Sequence, residues 1–285
     1  MFVIIGAVVV LVCVFGAYSV HGNLLILLQP LEFVIILGAA VGAFIIGNTK
    51  SNIRQTLKGL GRAMKGPRYK KADYVELLSV LYQIFKLAKT KGMLTLEQHV
   101  EKPDESTLFA QFPKFQKDHH AVEFLCDYLR MMTLGTENPN EVETLMDAEL
   151  ETHHNELHGA SHAIQTMADG LPALGIVAAV LGVITTMGSI TEPPKVLGEL
   201  IGAALVGTFF GVLVSYGFVA PLANIIKSVD EADGKYYLCM KAGLLAHMQG
   251  YPPAVSVEFA RKVLLSTERP NFYEVEQAVG ALPPV

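Results

Sequence analysis

The stretch ALVGTFFGVLVSYGFVAP, residues 204–221, decides the fold of this chain. It is nearly as long as the roughly 20 apolar residues that carry a helix across a bilayer, and it contains no Asp, Glu, Lys or Arg. It nevertheless keeps a Thr, a Ser, a Tyr and a closing Pro. Polar groups and a helix-breaking residue are costly inside a membrane, so they indicate a functional or packing role.

The composition indicates a multi-span membrane protein. Of 285 residues 51% are hydrophobic and 17% are charged, and the mean hydropathy is +0.39, which excludes an ordinary soluble domain. We predict an all-α fold with four spans, none containing a charged side chain, at about residues 2–20, 33–47, 170–190 and 200–226. The first is expected to be retained and not cleaved, because no Lys or Arg precedes it.

Charge around the spans predicts their orientation. Residues 50–71 contain eight basic side chains and no acidic one, and positive residues close to a span stay in the cytoplasm. We therefore predict a cytoplasmic helical domain at 49–169 between two pairs of spans, 1–48 and 170–226, with a cytoplasmic tail at 227–285 and a cytoplasmic N-terminus. The basic run is expected to contact anionic lipid headgroups. The net charge of −5 gives no sign of nucleic-acid binding.

The inserted domain has helical periodicity and no strand pattern. YVELLSVLYQIFKLAKTKG predicts a helix that ends at Gly92, and HHAVEFLCDYLRMMTLG predicts one that ends at Gly135. Thr95 and Gln98 have the spacing of a capping box. From Asn140 a Glu-rich segment has no Pro before Pro172, so we predict one long helix that continues into the third span.

Small residues and prolines within the spans each allow two interpretations. Three pairs have the spacing that lets membrane helices approach closely, either between copies or within one chain: Gly38 and Gly42, Ala178 and Gly182, and Gly207 and Gly211. Pro172 and Pro221 are expected at a similar depth near the cytoplasmic face, where they form a hinge plane or merely mark helix ends.

Candidate polar sites also have a structural alternative. Five hydroxyls could line an ion path or bond to the preceding helical turn: Thr185, Thr186, Thr208, Ser215 and Tyr216.

His154, His158 and His162 share a helix face but do not form an HExxH motif, so we predict a solvated face and no metal. No nucleophile–base pair, phosphate loop or dinucleotide motif occurs, so we predict no enzymatic activity and no cofactor. The three cysteines predict no disulfide framework.

Four motifs in register resemble the MotA family of flagellar motor stator subunits, together with the wider MotA/TolQ/ExbB proton channel family. They are QPLEFVIILGAAVGAFIIGN, LPALGIVAAVLGV, the opening stretch 204–221, and VEFARKVLLSTERP in the tail. The similarity covers essentially the whole chain in the four-span order.

The resemblance implies an assembly in the bacterial inner membrane that couples proton flow to torque on the flagellar rotor. Such proteins form a ring, expected to be a pentamer, around MotB, whose single span supplies the ion-binding Asp. Thr208 and Tyr216 would face that Asp, and Pro172 and Pro221 would be hinges. Sodium-driven relatives carry Thr where this chain has Ala179, so protons are the expected ion.

The resemblance also places a contact with the rotor protein FliG on AKTKGMLTLE. The implied residues are Lys89, with Lys91 as an alternative, and Glu97. Two other functions stay open: an ExbB- or TolQ-like energiser of an outer-membrane process, which would have three spans, and a passive membrane scaffold.

Overall fold

The computed structural model describes residues 2–136 and 138–283, and those residues contain no strand. Its helices are α1 (Phe2–Leu11), α2 (Ala17–Ser19), α3 (Pro30–Gly47), α4 (Lys50–Lys65), α5 (Lys71–Lys91), α6 (Glu97–Glu101), α7 (Pro113–Gln116), α8 (His119–Thr133), α9 (Pro139–Met187), α10 (Pro194–Val214), α11 (Ala220–Met248), α12 (Pro253–Lys262) and α13 (Phe272–Gly280). A π-helical turn joins α1 to α2 at Val12–Gly16, and another joins α10 to α11 at Ser215–Val219.

Four helical stretches among the described residues are long and apolar enough to cross a membrane: Phe2–Ser19, Leu24–Gly47, Pro139–Met187 and Pro194–Met248. The predicted all-α fold with four spans is therefore confirmed. The predicted long helix is also confirmed, because α9 runs without a break from Pro139 to Met187 and includes Pro172.

The second span begins earlier than predicted. Pro30 occupies the first turn of α3, where its fixed φ favours the start of a helix, and Glu32 lies in the same turn. Glu32 precedes the predicted span at residues 33–47, so the prediction that no span contains a charged side chain stays a prediction. A carboxylate in the first turn is favourably placed, because the exposed N–H groups of a helix N-terminus carry partial positive charge.

The chain packs as two units that each combine separate parts of the sequence. The first, called here the spanning unit, contains Met1–Gly66 and Glu156–Val229. The second, called the helical unit, contains Pro67–Asn155 and Asp230–Val285. The predicted boundaries at 48, 169 and 226 divide the chain by membrane topology and stay a prediction.

The helical unit is built around α5, which packs against α12 and α13. Leu77, Leu81 and Phe85 of α5 are fully buried. The helix ends at Gly92 as predicted, with a φ of +87° that only glycine adopts without strain. Burial on most sides of the middle of α5 explains why residues 77–88 are mostly apolar.

The predicted capping box was wrong. Residues Met93–Leu96 form a 3₁₀ turn directly after Gly92. Thr95 lies within that turn, and its hydroxyl donates to the Lys91 carbonyl at 3.0 Å and does not accept from the start of α6.

A polar network anchors the loop before α5. The Tyr69 hydroxyl donates to Asp118 at 2.7 Å, and the Arg68 guanidinium lies 3.0 Å from the same carboxylate. The Arg68 backbone N–H donates to Asp233 at 2.7 Å. Tyr69 stacks on Tyr236 with ring centroids 3.8 Å apart. Burial raises the pKa of the Tyr69 phenol far above its ordinary value, so it stays a donor.

Candidate ion-pathway and hinge site

Helices α9 and α10 approach so closely that glycine is required at their contact. A Cβ atom placed on Gly175 would lie 2.8 Å from the Gly207 carbonyl oxygen, and one on Gly211 would lie 2.7 Å from the Leu171 carbonyl oxygen. Both distances are too short for carbon and oxygen atoms that are not bonded. The contact therefore depends on backbone packing of the kind that stabilises helix pairs in lipid.

The small-residue pairs on α9 and α10 serve this contact inside one chain. Gly207 lies against Ala178, and Gly182 lies against Ala204. Of the two interpretations of these pairs, the structure supports packing within the chain. On α3 a Cβ atom on Gly38 or Gly42 would meet nothing within 4 Å, so that pair has no role in the packing of this unit.

Pro172 lies inside α9 and leaves a backbone acceptor without its usual donor. In a regular helix the N–H of residue 172 would bond to the carbonyl of Ala168, but proline has no N–H. The Ser215 hydroxyl donates to that same carbonyl at 2.6 Å. Ser215 and Ala168 are both fully buried. A side chain from the neighbouring helix therefore replaces the missing bond, one of the ways in which membrane helices tolerate proline.

The two prolines do not lie at one depth, and the predicted hinge plane was wrong in this respect. The residue before Pro172 lies opposite Gly211, whereas Pro221 comes ten residues later along α10 and α11. At 1.5 Å per residue the two prolines are about 15 Å apart along the helix axes. The sequence gives the number of residues but not the register of the antiparallel pair, which the glycine contacts set.

The π-helical turn Ser215–Val219 lies between these two levels. It carries the predicted site residue Tyr216 and ends two residues before Pro221. A π turn widens the helix locally, and such turns are frequent at functional sites. It also alters the backbone bonding just where the proline ring would crowd a carbonyl of the preceding turn. Pro221 was predicted as a site residue from the sequence, but no sequence pattern indicated the π turn.

Among the other hydroxyls, two bond to the preceding turn of their own helix and one is exposed. Thr185 donates to Leu181 at 3.0 Å and Thr186 to Gly182 at 2.9 Å, so both bond within their own helix. Tyr216 is 64% exposed on the surface of the spanning unit.

Two further predicted site residues lie at the contact of α9 and α10. Thr208 is half-buried, and its Cα atom would be 3.3 Å from a Cβ atom on Gly175. Ala179 is half-buried, with its backbone nitrogen 3.2 Å from the Cβ position of Gly207. The structure therefore brings Thr208, Ala179 and the Pro172 region to one helix contact, while Pro221 is exposed farther along.

Glu32 is a residue of this site that sequence reasoning missed. Its Oε2 atom lies 3.1 Å from the Cβ position of Gly207, and its Oε1 atom lies 3.5 Å from that of Gly182. The carboxylate therefore sits against the contact of α9 and α10. The signal was available in QPLE, because a Pro that can begin a helix places the following Glu in the first turn.

The predicted rotor-contact residues lie in the helical unit. Lys89, Lys91 and Glu97 are all exposed, the lysines near the end of α5 and Glu97 at the start of α6. Within the described residues no group of three or more His, Cys, Asp or Glu side chains could hold a metal ion.

Comparison with known proteins agrees with this architecture. Residues 4–92 match the family described as Motility protein A N-terminal, and residues 116–234 match the MotA/TolQ/ExbB proton channel family. The chain is 43% identical to Motility protein A of Escherichia coli strain K12, over 99% of this chain and 96% of that protein. It is 35% identical to the chemotaxis protein LafT of Vibrio parahaemolyticus, over 96% of each.

Two solved structures share the fold. A chain of the C. jejuni MotAB structure aligns with a TM-score of 0.75 at 19% identity, covering 93% of this chain and 95% of that one. A chain of the flagellar MotAB stator complex from Bacillus subtilis aligns with a TM-score of 0.70 at 22% identity, covering 90% and 92%.

Four apolar spans with a helical insertion and a proline-containing helix pair define a multi-span membrane protein of the proton channel class. Within that class, full-length similarity at 43% identity is decisive. The chain belongs to the motility protein A family.

Proposed function

We propose that this chain is a stator subunit of the bacterial flagellar motor. With a MotB-type partner, it converts ion flow across the inner membrane into torque on the rotor. The observation that carries the proposal is the match to Motility protein A along 99% of the chain. The packed pair α9 and α10, with Pro172 inside it, supplies a channel-side element that can change its packing. On this proposal the chain is an energy converter and not an enzyme.

The working carboxylate comes from the partner. A charge in the middle of a bilayer costs at least about 2.5–3.5 kcal/mol, and the acid of this site, Glu32, lies in the first turn of α3 and not in the middle of a span. Thr208 and Tyr216 face the partner's Asp in the assembled ring, expected to contain five copies of this chain. Pro172 and Pro221 are the sites at which the helices respond to its protonation.

The available energy suits a hinge of this kind. One elementary charge that falls through about 150 mV releases roughly 3.5 kcal/mol. That is close to the roughly 3 kcal/mol by which an interior proline weakens a helix. It can therefore shift a proline-containing helix pair between two packings, while regular helices on either side stay intact.

The coupling ion on this proposal is the proton. Ala179 presents a methyl group where the sodium-driven relatives carry a hydroxyl, and sodium needs oxygen ligands to replace its water. Thr185 and Thr186 bond within α9. Cells that depend on this chain should swim at the same speed with and without sodium at constant pH. A speed that falls when sodium is removed would overturn this choice.

The chain lies in the inner membrane with both termini in the cytoplasm. The eight basic residues at 50–71 support this orientation. A cysteine placed at exposed Asn23 should react with an impermeant maleimide in intact spheroplasts, whereas one placed at exposed Ser266 should react only after lysis. The reverse pattern would invert the topology.

The decisive experiment separates a stator from a passive scaffold. Cells without their own copy should regain swimming when they produce this chain with a MotB-type partner. A partner that lacks its plug, the segment that keeps the ion path closed, should give a proton leak, measured as acidification of the cytoplasm. The leak should survive Glu32→Gln and disappear when the partner's Asp is changed to Asn. A leak lost with Glu32→Gln would place the working acid in this chain. If no combination of chain and partner gives a leak, the passive scaffold is the function that stays open.

A fourth span also argues against the ExbB- or TolQ-like alternative, which has three. The described residues hold four candidate spans, and similarity to Motility protein A extends through all of them.

A further inference from the structure

We infer that Ser215 is a positioning residue that ties the two proline sites of the spanning unit together. Its hydroxyl donates to the Ala168 carbonyl at 2.6 Å, the acceptor that Pro172 leaves without a backbone donor. Ser215 is also the first residue of the π-helical turn that ends two residues before Pro221. A single hydrogen bond therefore connects the irregular part of α9 to the irregular part of the α10–α11 helix.

The surroundings make this bond hard to replace. Ser215 and Ala168 are fully buried, as is Leu171 one turn farther along α9. Water cannot satisfy the Ala168 carbonyl there, and an unsatisfied buried acceptor is costly. The close contact of Gly211 with the Leu171 carbonyl holds the two backbones together beside the bond. Thr185 and Thr186, by contrast, donate to carbonyls of their own helix.

The bond lies at the N-terminal edge of the π turn. A π turn contains an extra residue, and each residue of an α-helix turns the chain by about 100°. Conversion of Ser215–Val219 to regular α-helix would therefore rotate the side chains on its two sides relative to each other. Gly211 and Ser215 lie one helical turn apart on the N-terminal side of this change, so both would keep their contacts with α9, and the segment from Pro221 onward would rotate instead. The bond thus fixes the side of the π turn that lies beside Pro172, so that a change of the turn moves the side that carries Pro221.

A thermal double-mutant cycle tests the bond itself. We compare the melting temperature of the full chain, purified with its partner, for wild type, S215A, P172A and the double variant. S215A should lower Tm by about 3 °C or more where Pro172 is present, because the Ala168 carbonyl is left without a donor. In the P172A background the new N–H satisfies that carbonyl, so S215A should change Tm by less than about 1 °C. S215A removes the same side-chain volume in both backgrounds, so the effect of that volume cancels from the difference between the two changes in Tm.

Equal losses in both backgrounds, or no loss in either, would overturn the inference. S161A is the matched control, because Ser161 is also buried on α9 but donates to His158 of its own helix at 3.0 Å. It should have the same effect with and without Pro172. If P172A does not fold, Ser215→Cys replaces it: the thiol has nearly the volume of the hydroxyl but is a weak donor. A lower Tm for Ser215→Cys supports the bond, and an unchanged Tm overturns it.

The positioning role is tested by rotation, and this part rests on the proposed function. In tethered cells S215A should reach normal protein levels but turn more slowly than wild type, and S161A should turn at the wild-type rate. A positive thermal cycle with normal rotation by S215A would overturn the positioning role. If the wild-type chain itself restores no rotation, the proposed function fails, whereas the thermal cycle still decides whether the bond exists.

Discussion

At the scale of single residues, Ser215 donates the hydrogen bond that the backbone N–H of residue 172 would donate in a regular helix. The proline removes a donor and the serine returns one from the neighbouring helix at 2.6 Å. One backbone hydrogen bond of α9 is therefore replaced by a bond from another segment, and the local geometry of α9 depends on the position of Ser215.

Glu97 tests the rotor contact. It is exposed at the start of α6, so Glu97→Lys should leave folding intact and reduce the swimming radius in soft agar. Exposed ion pairs contribute only about 0.2–1 kcal/mol, so we expect partial and not complete loss. A matching reversal on the rotor protein should restore the radius. Exposed Glu276 provides the control, since Glu276→Lys should leave swimming unchanged. Failure of the rescue would count against the assignment.

His99 makes the helical unit sensitive to mild acid. Its Nδ1 atom lies 2.9 Å from the Ser106 hydroxyl, which also accepts the Phe109 N–H at 3.2 Å. Burial lowers the pKa of His99 below its ordinary value near 6.5. At this residue the unfolded chain therefore takes up a proton first as pH falls, so the contribution of His99 to the free energy of unfolding is constant above about pH 6.5 and decreases below it.

His99→Gln should consequently flatten the dependence of Tm on pH between about 7.5 and 5.5. His120 is exposed on α8, and His120→Gln should retain the wild-type slope. An unchanged slope in His99→Gln would show that another group causes the acid sensitivity.

Residue types predicted some of these roles and missed others for physical reasons. Gly92 was predicted to end a helix because only glycine adopts its φ of +87° easily. Thr95 was assigned to a cap that the structure does not contain, because its hydroxyl can bond backward as well as forward. The partner of Ser215 lies 47 residues away, and no local pattern identifies it.

At the scale of elements, the contact between α9 and α10 depends on four glycines that face backbone atoms: Gly175, Gly182, Gly207 and Gly211. A Cβ atom on Gly211 would approach the Leu171 carbonyl oxygen to 2.7 Å and the Gly175 Cα atom to 3.0 Å. Backbone atoms cannot turn aside as the end of a side chain can, so the helices themselves would have to separate. That separation would also lengthen the bond from Ser215 to Ala168.

Gly211→Ala should therefore lower the free energy of unfolding by about 1–3 kcal/mol, the usual cost of overpacking. The measurement is the melting temperature of the purified full chain with its partner. Gly170, which also lies in α9, offers a control with open space, because a Cβ atom there would meet nothing within 4 Å. Gly170→Ala should leave stability unchanged or raise it by about 0.5–1 kcal/mol. Equal effects of the two substitutions would mean that the helices do not pack as closely as the structure has them.

Hydropathy predicts the spans well because burial in lipid requires long apolar runs. It does not predict where such a helix stops once it leaves the membrane. The fourth span was expected to end near residue 226, yet α11 continues to Met248. Its later turns bury Tyr236, Met240 and Leu244 in the helical unit, so long-range packing and not local hydropathy sets its end.

At the scale of the whole molecule, each unit is assembled from parts of the chain that are far apart in sequence. In the helical unit, a Cβ atom on Gly243 would lie 3.1 Å from Leu81, 3.3 Å from Ala260 and 3.5 Å from Phe85. The tail predicted at 227–285 thus contributes to the core around α5. The charge around the spans predicted that this segment is cytoplasmic, but it could not show which helices the segment covers.

Removal of the last two helices should therefore abolish the helical unit. A chain that stops at Gln249 loses α12 and α13, including the buried side chains Val257, Leu264 and Val275. Each buried large apolar side chain contributes about 1.5–3 kcal/mol, which together is comparable to the roughly 5–15 kcal/mol that stabilises a typical domain. We expect Pro67–Asn155 to become sensitive to protease in membrane vesicles. A chain that stops at Ala281 keeps both helices but loses the 3.2 Å bond from the Gln83 amide to the Pro283 carbonyl, and it should stay resistant. If the chain that stops at Gln249 is equally resistant, α5 does not need the tail to fold.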